Sequence, residues 1–257
     1  MNNKVKFLLI CTLLCFFWLA PVQAQDDDNE GVAVLVKITP KDGHDEALLK
    51  GVKDYHHWIA NFEGHMQYTW WEVLTGPDTG TYYAHSGSHN WADFDAEYDW
   101  QKKAGEVFET NVAPHIESAE RIMHTDMDKV SYWPESWDGY THLQIESWYI
   151  NNGQYAKFNK GLTRIVETLK AGGFPYHFGF TRVASGGHGG EIQLISPVKG
   201  WAGMAEEEPS FYDIMSKELG GEDEFNAFMA DWGSSYKVGH NHMVKYMPEA
   251  SDYGDKK

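Results

Sequence analysis

Two spacings of hydrophobic residues alternate along the chain, and they predict strands and helices in a fixed order. Val32 to Thr39 is a continuous run rich in apolar and β-branched residues that ends at Pro40, which predicts a buried strand. Beyond it, apolar positions step by four and three residues from Leu48 to Phe62, which places them on one face of a helix. The first half of the chain therefore begins with a strand and a helix.

The remainder of the first half predicts a hairpin, a second helix and a final strand. Met66–Thr75 and Thr81–Ser86 flank a Gly-Pro-Asp-Thr-Gly turn, which is typical of a β-hairpin. A helix is predicted from Tyr98 to about Val112, and a strand from about Arg121 to Tyr132. The predicted order is βαββαβ.

The second half of the chain repeats this order. The segment KDGHDEALLKGV at Lys41–Val52 returns in outline 110 positions later as NNGQYAKFNKGL at Asn151–Leu162, and Arg121–Met127 resembles Lys237–Met243. Such self-similarity is the signature of an internal duplication. The predicted elements are a helix carrying Phe158, Leu162, Ile165 and Leu169, a hairpin of Tyr176–Ala184 and Glu191–Ser196, a helical stretch from Phe211 to Tyr236 interrupted at Gly220-Gly221, and a strand from Val238 to Met247.

A βαββαβ unit is the ferredoxin-like plan, in which helices cover one face of an antiparallel sheet. Two tandem copies can bury their bare sheet faces against each other. The arrangement resembles the dimeric α+β barrel superfamily in its fused two-repeat form. We therefore predict an α+β fold in which two tandem ferredoxin-like units form an intramolecular α+β barrel. The resemblance implies a cavity between the sheets but no single chemistry, because the superfamily includes monooxygenases, haem-degrading oxygenases and chlorite dismutase relatives.

The N-terminal residues predict export. Lys4 and Lys6 precede an apolar run from Phe7 to Ala20, and a small-residue cleavage site ends at Ala24, so residues 1–24 resemble a secretory signal peptide. We predict a periplasmic or secreted protein. The predicted organisation is an acidic segment at 25–30, a first unit at 31–132, a linker at 133–139, a second unit at 140–247 and a tail at 248–257.

Composition excludes several classes of partner and site. The formal net charge of −17 disfavours nucleic acid and anionic membranes as partners. Both cysteines, Cys11 and Cys15, lie in the predicted signal, so the exported chain would have no disulfide, thiolate metal site, cysteine nucleophile or covalently attached haem. Aromatic residues make up 15% of the chain, which predicts extensive aromatic surfaces in the core or in a cavity.

Alternation along the first strand of each unit predicts which side chains face the barrel. We assign Val32, Val34, Val36 and Ile38 to the barrel in the first unit, together with the residues 110 positions later, and we assign Ala33, Leu35, Leu143 and Ile145 to the layer under the helices. His240 and His242 on the last strand should lie beside them, and His177 should also project inward. The predicted ligand-binding residues are His142, Gln144, Glu146, Trp148, His177, His240 and His242.

Three kinds of chemistry fit these residue types. His142, Glu146, His240 and His242 could hold a divalent metal, or form a polar pocket without one, and His124 and Asp126 occupy the matching positions of the first unit. Haem is an alternative implied by the resemblance, with His56, His57 and His115 as ligands. Cofactor-free oxygenation is a third, using residue types supplied by Trp70, Trp71, Trp148, Asn241 and Gln144. The sequence identifies no catalytic residue.

We favour a small-molecule-binding barrel whose ligand is aromatic or apolar, with a monooxygenase-like oxidoreductase as its catalytic form. The alternative is a non-catalytic interaction or assembly module whose aromatic residues form contacts between chains in an oligomer. Trp91 and Trp201 stand at matching places after each hairpin, and we predict that they plug the sheet edges. The linker Trp133–Gly139 is predicted to cover one end of the barrel with its tryptophans.

Overall fold

The computed structural model describes residues 31–205 and 208–254, so the predicted signal peptide, the acidic segment at 25–30 and the last three residues lie outside the described residues. The first unit comprises β1 Val32–Pro40, α1 Asp45–Ile59, β2 Thr69–Val73, β3 Tyr82–His89, α2 Gln101–Asn111 and β4 Ile116–Asp126. The second comprises β5 His142–Ile150, α3 Tyr155–Gly172, β6 Gly179–Ser185, β7 Glu191–Val198, α4 Phe211–Leu219, α5 Glu222–Gly233 and β8 Tyr236–Tyr246. None of the described helices combines the length and apolarity needed to cross a bilayer.

The eight strands of the described residues form one closed antiparallel barrel in the order β1-β3-β2-β8-β5-β7-β6-β4. Each unit contributes the ferredoxin-like order, with its first strand between its third and fourth. The pairs β2–β8 and β4–β6 join the two units and close the ring. The predicted α+β fold with two tandem ferredoxin-like units is therefore confirmed, and closure leaves no free sheet edge.

Two element boundaries differ from the predictions for local reasons. β4 ends at Asp126, well before Tyr132, because a 3-10 turn at Asp128–Val130 follows it. The helical stretch predicted from Phe211 ends at Gly233 and not at Tyr236, because β8 begins at Tyr236. The interruption predicted at Gly220-Gly221 is confirmed: Gly220 takes a left-handed conformation with φ 102° that ends α4. Glycine adopts this conformation without the steric penalty of a Cβ atom.

The hydrophobic core has three parts. Outside the barrel, each sheet half packs against its own helices, around Leu48 and Val52 in the first unit and around Phe158 and Leu162 in the second. Inside the barrel there is a smaller third cluster, which consists of Leu35, Val73, Tyr83, Ile122, Ile145 and Val244. The interior is thus only partly filled by apolar side chains.

The glycines that recur at Gly51 and Gly161 allow close helix packing in both units. A Cβ atom at Gly51 would lie 2.1 Å from the carbonyl oxygen of Asn111 at the end of α2. One at Gly161 would lie 2.2 Å from the indole of Trp232 in α5. The repeat therefore preserves a helix contact, although its partner is backbone in one unit and a side chain in the other.

Candidate functional site

The structure reverses the predicted faces of β1 and β5. Ala33, Leu35, Leu143 and Ile145 point into the barrel, where they line a cavity. The opposite face of β5, which carries His142, Gln144, Glu146 and Trp148, points outward: Trp148 belongs to the helix-side core, and Gln144 lines a pocket beneath the helices. The prediction was wrong because β1 is buried on both faces, and its sequence therefore has no polar side to identify the exterior.

The predicted seven-residue ligand set is divided between the two faces. Ile145 is the partner of His242 across the β5–β8 pair, so His242 lies inward, and His240, two residues before it, is exposed. His142 is paired with Lys245 on the outer face. His142 and the β8 histidines are therefore on opposite sides of one sheet, and no single site contains them all.

The predicted metal site is not assembled. Glu146 lies outward, where it accepts hydrogen bonds from the Trp148 indole and from the Asn241 amide. His142 lies beside Trp201 with 5.9 Å between ring centroids, and its pKa is lowered by burial and by Lys245. Across the described part of the chain, no group of three or more His, Cys, Asp or Glu side chains is close enough to hold a metal ion.

The internal repeat also has a different register from that predicted for its last strands. Ala33 pairs with His124 in the first unit, and its repeat counterpart Leu143 pairs with Val244 in the second. His124 therefore corresponds to Val244, and not to His240. The predicted and observed equivalents of His124 differ by four residues, because similar His and Met residues in β4 and β8 do not determine how these strands pair with their neighbours.

A cavity of about 690 Å³ lies inside the barrel, with a contribution from every strand. Its described lining mixes apolar, aromatic and polar side chains. The apolar and aromatic members are Ala33, Leu35, Trp71, Tyr83, Trp133, Trp137, Tyr140, Leu143, Ile145, Ile195, Val244 and Tyr246; the polar members are Thr69, His85, Ser88, His124, Asp126, Thr181 and Gln193. This size and composition are typical of a small-molecule site.

The histidines of the cavity belong to the first unit. His85 on β3 is exposed to the cavity space although the barrel surrounds it, and within the described residues its ring makes no hydrogen bond. Burial, with a contribution from His89, lowers its pKa to about 4. His124 is buried on β4, and its Nδ1 lies 3.2 Å from the Thr181 hydroxyl. The pKa of His124 is also lowered to about 4, by burial first and then by His85 and Lys37, so both rings are neutral at pH 7.

A half-buried ion pair lies beside the cavity residue Tyr83 in the first unit. The ammonium group of Lys37 lies 3.1 Å from Oδ2 of Asp78, and the Tyr83 hydroxyl donates to the same oxygen at 2.5 Å. Burial alone would raise the pKa of Asp78, but the Tyr83 hydrogen bond and the Lys37 charge lower it overall. Asp78 comes from the β2–β3 turn, which is held against β8 by a hydrogen bond from Leu74 N to Met243 O.

Side chains of the second unit lie close to this group. Glu191 is buried and accepts hydrogen bonds from the Ser147 hydroxyl at 2.7 Å and from the Gln193 amide at 3.1 Å. His242 packs edge-on against Tyr83 with 6.0 Å between ring centroids, and burial lowers its pKa against the opposing effect of Asp78. Glu191, Ser147 and Gln193 therefore form a hydrogen-bonded group, whereas the buried Nδ1 of His242 has no hydrogen-bond partner among the described residues.

The segment Trp133–Gly139 lies over one end of the barrel. Trp133, Trp137 and Tyr140 all line the cavity, with ring centroids 5.8 Å apart for the two tryptophans and 6.2 Å apart for Trp137 and Tyr140. Nδ1 of His177 lies 3.2 Å from the Tyr140 hydroxyl. Tryptophans of this segment thus cover a barrel end as predicted, whereas His177 lines the helix-side pocket and not the barrel.

A second pocket of about 470 Å³ lies between the sheet and the helices of the second unit. Its lining is mainly apolar; among the described lining residues, His177 is the only histidine, and none is lysine or arginine. A haem needs an axial ligand and, in general, cations near its propionates. Nδ1 of His177 is paired with the Tyr140 hydroxyl and its ring packs on Tyr132 at 4.8 Å, which leaves Nε2 as the possible iron ligand. The described lining has no lysine or arginine to hold the propionates, so these residues do not fit haem.

The histidines predicted as haem ligands lie elsewhere in the first unit. His56 is buried in α1 and stacks on Tyr253 with 4.2 Å between centroids; burial lowers its pKa to about 4. His57 is exposed beside Asp252. Nδ1 of His115 lies 3.0 Å from Nδ1 of His44 at the N-terminal end of α1. None of the three lines either pocket.

Among the residues predicted for cofactor-free oxygenation, Trp71 alone lines the barrel cavity. Trp70 and Trp148 pack in the helix-side cores, Gln144 lines the helix-side pocket, and Asn241 is exposed on the outer face.

Sequence interpretation missed His85, Tyr83 and Gln193 as cavity residues. All three lie on the third strands of the two units, and Tyr83 and Gln193 are 110 residues apart, at equivalent positions. Period-two alternation in these hairpin strands, combined with the repeat offset, would have identified them.

The two matching tryptophans after the hairpins do not plug sheet edges. Trp91 is 52% exposed and Trp201 is 56% exposed, each on a short 3-10 helix. The closed barrel has no edge for them to cover. The exposed side chains of Trp91 and Trp201 are the surface aromatic residues that could form contacts between chains, and the hypothesis of an assembly module stays a prediction.

Comparison with solved structures identifies the fold. A proposed monooxygenase of Lactobacillus acidophilus superposes with a TM-score of 0.51 at 9% identity, over 85% of this chain and 94% of that one. Chlorite dismutase from Candidatus Nitrospira defluvii, in complex with imidazole, superposes with a TM-score of 0.52 at 6% identity, over 85% and 92%. The chain has the dimeric α+β barrel fold. No family model and no curated protein matches the sequence, and at these identities the likeness extends to the fold alone.

Proposed function

We propose that this is an exported protein that binds a small, largely aromatic or apolar molecule inside its barrel. Export rests on the signal-like residues 1–24. The observation that carries the binding proposal is His85, a neutral imidazole with no hydrogen bond within the described residues, exposed to an otherwise largely apolar and aromatic cavity. A ligand that displaces water from this ring must supply a hydrogen-bond donor in its place, since leaving the ring nitrogen unsatisfied costs binding free energy. A ligand with one hydroxyl or N–H group meets this requirement.

Binding of 2-naphthol tests this proposal, because it combines a flat apolar body with one donor. Trp71, Trp133 and Trp137 line the cavity, so intrinsic tryptophan fluorescence reports occupancy. We expect saturable quenching, and we expect His85→Phe to weaken binding about five- to tenfold, the effect of one hydrogen bond. His240→Phe, on the exposed part of β8, serves as the control and should leave affinity unchanged. Equal affinities in the wild type and His85→Phe would refute the role of His85.

An oxygenase-like enzyme is the catalytic form of this proposal, and the His85 imidazole, which faces the cavity, is its candidate base. Such a ring can take a proton from an activated methylene group of a bound aromatic substrate. Dioxygen then oxidises the carbanion, with one oxygen atom forming the product carbonyl and the other leaving as water. The proposed monooxygenase with the same fold supports testing this chemistry. An oxygen electrode with anthrone as probe should show protein-dependent consumption that His85→Phe abolishes; equal rates in the two proteins would contradict it.

A further inference from the structure

Two strands project beyond the closed ring. β4 pairs with β1 along nearly its whole length, but its other neighbour, β6, pairs only with Met123–Asp126. β8 pairs with β5 from Tyr236 onwards, but β2 pairs only with Val244–Tyr246. Within the described residues, the N-terminal part of each strand therefore has a partner strand on one side alone. We name these parts the β4 overhang, Ile116–Arg121, and the β8 overhang, Tyr236–Asn241.

Both overhangs lie at the same end of the barrel and are exposed. β4 and β8 are four places apart in a ring of antiparallel pairs, so they run in the same direction on opposite sides of the barrel. Glu117–Arg121 is exposed throughout, and Val238 is 63% exposed although it is apolar. An exposed strand edge carries unpaired N–H and C=O groups, and it is a template for pairing with another chain.

The backbone of the β4 overhang directs hydrogen-bonding groups to the open side at alternate residues. Asp126 N donates to Gly31 O beside β1, so the even-numbered residues of β4 direct their N–H and C=O groups to β1. The odd-numbered residues, which include Ala119 and Arg121, direct theirs to the open side.

The backbone of the β8 overhang has the matching arrangement. Asn151 N donates to Ser235 O immediately before β8, so Tyr236 and Val238, at the alternate positions, direct their N–H and C=O groups away from β5. If the two overhangs of different copies are placed antiparallel, Ala119 of one and Val238 of the other can therefore exchange both hydrogen bonds.

The two overhangs have opposite free charges. The β4 overhang carries Glu117 and Glu120, and its Arg121 lies over the Phe94 ring at 5.9 Å. The β8 overhang carries Lys237 and no acidic residue. Neither glutamate nor the lysine forms a salt bridge with another described residue. Two β8 overhangs would bring like charges together, whereas β4 with β8 brings opposite charges together, so the charges favour pairing between unlike strands.

We propose that the chain forms a two-fold dimer in which the β4 overhang of each copy pairs antiparallel with the β8 overhang of the other. With Ala119 opposite the partner's Val238, Glu120 lies opposite the partner's Lys237, and the two charges become cross-strand neighbours. Because the overhangs are on opposite sides of the ring, one two-fold axis forms both pairings at once.

Dimer formation leaves the ligand site free. The segment Trp133–Gly139 lies beyond the C-terminal end of β4, and the overhang is at its N-terminal end. Ligand binding and dimerisation can therefore succeed or fail separately, and a 2-naphthol titration should give the same affinity for monomer and dimer.

Sedimentation velocity tests the dimer directly. Over protein concentrations from about 1 to about 100 µM, at physiological salt, we expect a reversible equilibrium between monomer and dimer, because each pairing is short and polar. A protein that stays monomeric over this range would overturn the proposal.

Charge reversal identifies the surface. Glu120→Lys and Lys237→Glu should each weaken dimerisation about tenfold, because the pair occurs twice in the dimer. The double variant exchanges the two charges and should recover to within about threefold of the wild type. Equal dimerisation by the wild type and both single variants, or a double variant weaker than either, would show that the copies meet through another surface.

Glu109→Lys is the matched control, since Glu109 is exposed on α2 and the substitution makes the same change of net charge as Glu120→Lys. Reducing the formal net charge of −17 lowers the repulsion between copies, so this control should not weaken the dimer. Weakening by Glu109→Lys equal to that by Glu120→Lys would contradict a specific contact at Glu120.

Val238→Pro tests the backbone pairing without a change of charge. The N–H of Val238 points to the open side, so proline removes no hydrogen bond to β5, and circular dichroism should show a folded monomer. We expect dimerisation to weaken at least about tenfold, because the hydrogen bond is lost in both pairings. A folded Val238→Pro protein that dimerises as strongly as the wild type would contradict pairing through β8.

Discussion

A Cβ atom built on Gly179 would lie 1.7 Å from Cζ2 of Trp133, so the absence of a side chain on β6 is what allows this indole to lie over the barrel. We predict that Gly179→Ala displaces Trp133 and opens the cavity mouth. Acrylamide quenching of tryptophan fluorescence should rise, and 2-naphthol should dissociate faster. Gly189→Ala is the control, because no atom lies within 4 Å of the Cβ it would add. Unchanged quenching in Gly179→Ala would show that the segment is held by other contacts.

Two glycines in the helices of the first unit should respond to alanine in opposite directions. At Gly51, the added Cβ meets the backbone oxygen of Asn111 at 2.1 Å, so we expect Gly51→Ala to destabilise the fold by about 1–3 kcal/mol. At Gly105 in α2, no atom lies within 4 Å, and Gly105→Ala should stabilise by about 0.5–1 kcal/mol through helix propensity. Urea unfolding measures both. Destabilisation by both substitutions would mean that α2 does not pack as described.

The sequence predicts the order of the elements but not which face of the sheet points into the barrel. Strand and helix order, the duplication and the barrel followed from hydrophobic spacing, because each element has one dominant period. The inward face did not follow, because Val32 and Val34 under the helices are as apolar as Ala33 and Leu35 inside the barrel. The alignment of β8 with β4 was also predicted wrongly. Leu143 pairs with Val244, and this pairing depends on tertiary contacts that the sequence similarity around His124 and His240 does not specify.

Stability should fall as the pH falls from about 6.5 to 4. Burial lowers the pKa of His56 and of His124 from 6.5 to about 4, so the unfolded chain binds more protons than the folded chain within this window. Each neutral ring therefore contributes stability that is fully present above pH 6.5 and decreases by about 3 kcal/mol when the pH reaches 4. Urea unfolding at pH 7, 5.5 and 4.5 should show this slope.

Replacement of one buried histidine should reduce the slope. His56→Phe retains an aromatic ring against Tyr253 but cannot bind a proton, so its unfolding free energy should depend less on pH. His240→Phe, an exposed position, is the control and should keep the wild-type slope. A steeper dependence in His56→Phe would contradict the assignment.

The half-buried ion pair of Lys37 and Asp78 should contribute more stability than a surface pair. Lys37→Met leaves Asp78 with the Tyr83 hydroxyl alone, so the pKa of Asp78 should rise and stability at pH 7 should fall by about 1–3 kcal/mol. Lys103→Met breaks an exposed pair with Glu106 and should cost less than about 0.5 kcal/mol. Thermal and urea unfolding compare the two. Equal losses of stability in the two variants would show that solvent screens the Lys37–Asp78 pair as strongly as the exposed Lys103–Glu106 pair.

The location of the ligand is the central claim, and two leucines on opposite faces of the sheet test it. Leu143 lines the barrel cavity, and Leu194 lines the helix-side pocket of the second unit. Tryptophan at either position fills its own pocket, so the two substitutions match in residue type and differ only in the space they occupy. In titrations of folded variants, with circular dichroism as the check on folding, we expect Leu143→Trp to abolish saturable binding of 2-naphthol and Leu194→Trp to retain it. Binding that survives Leu143→Trp and disappears in Leu194→Trp would place the ligand under the helices and contradict a barrel site.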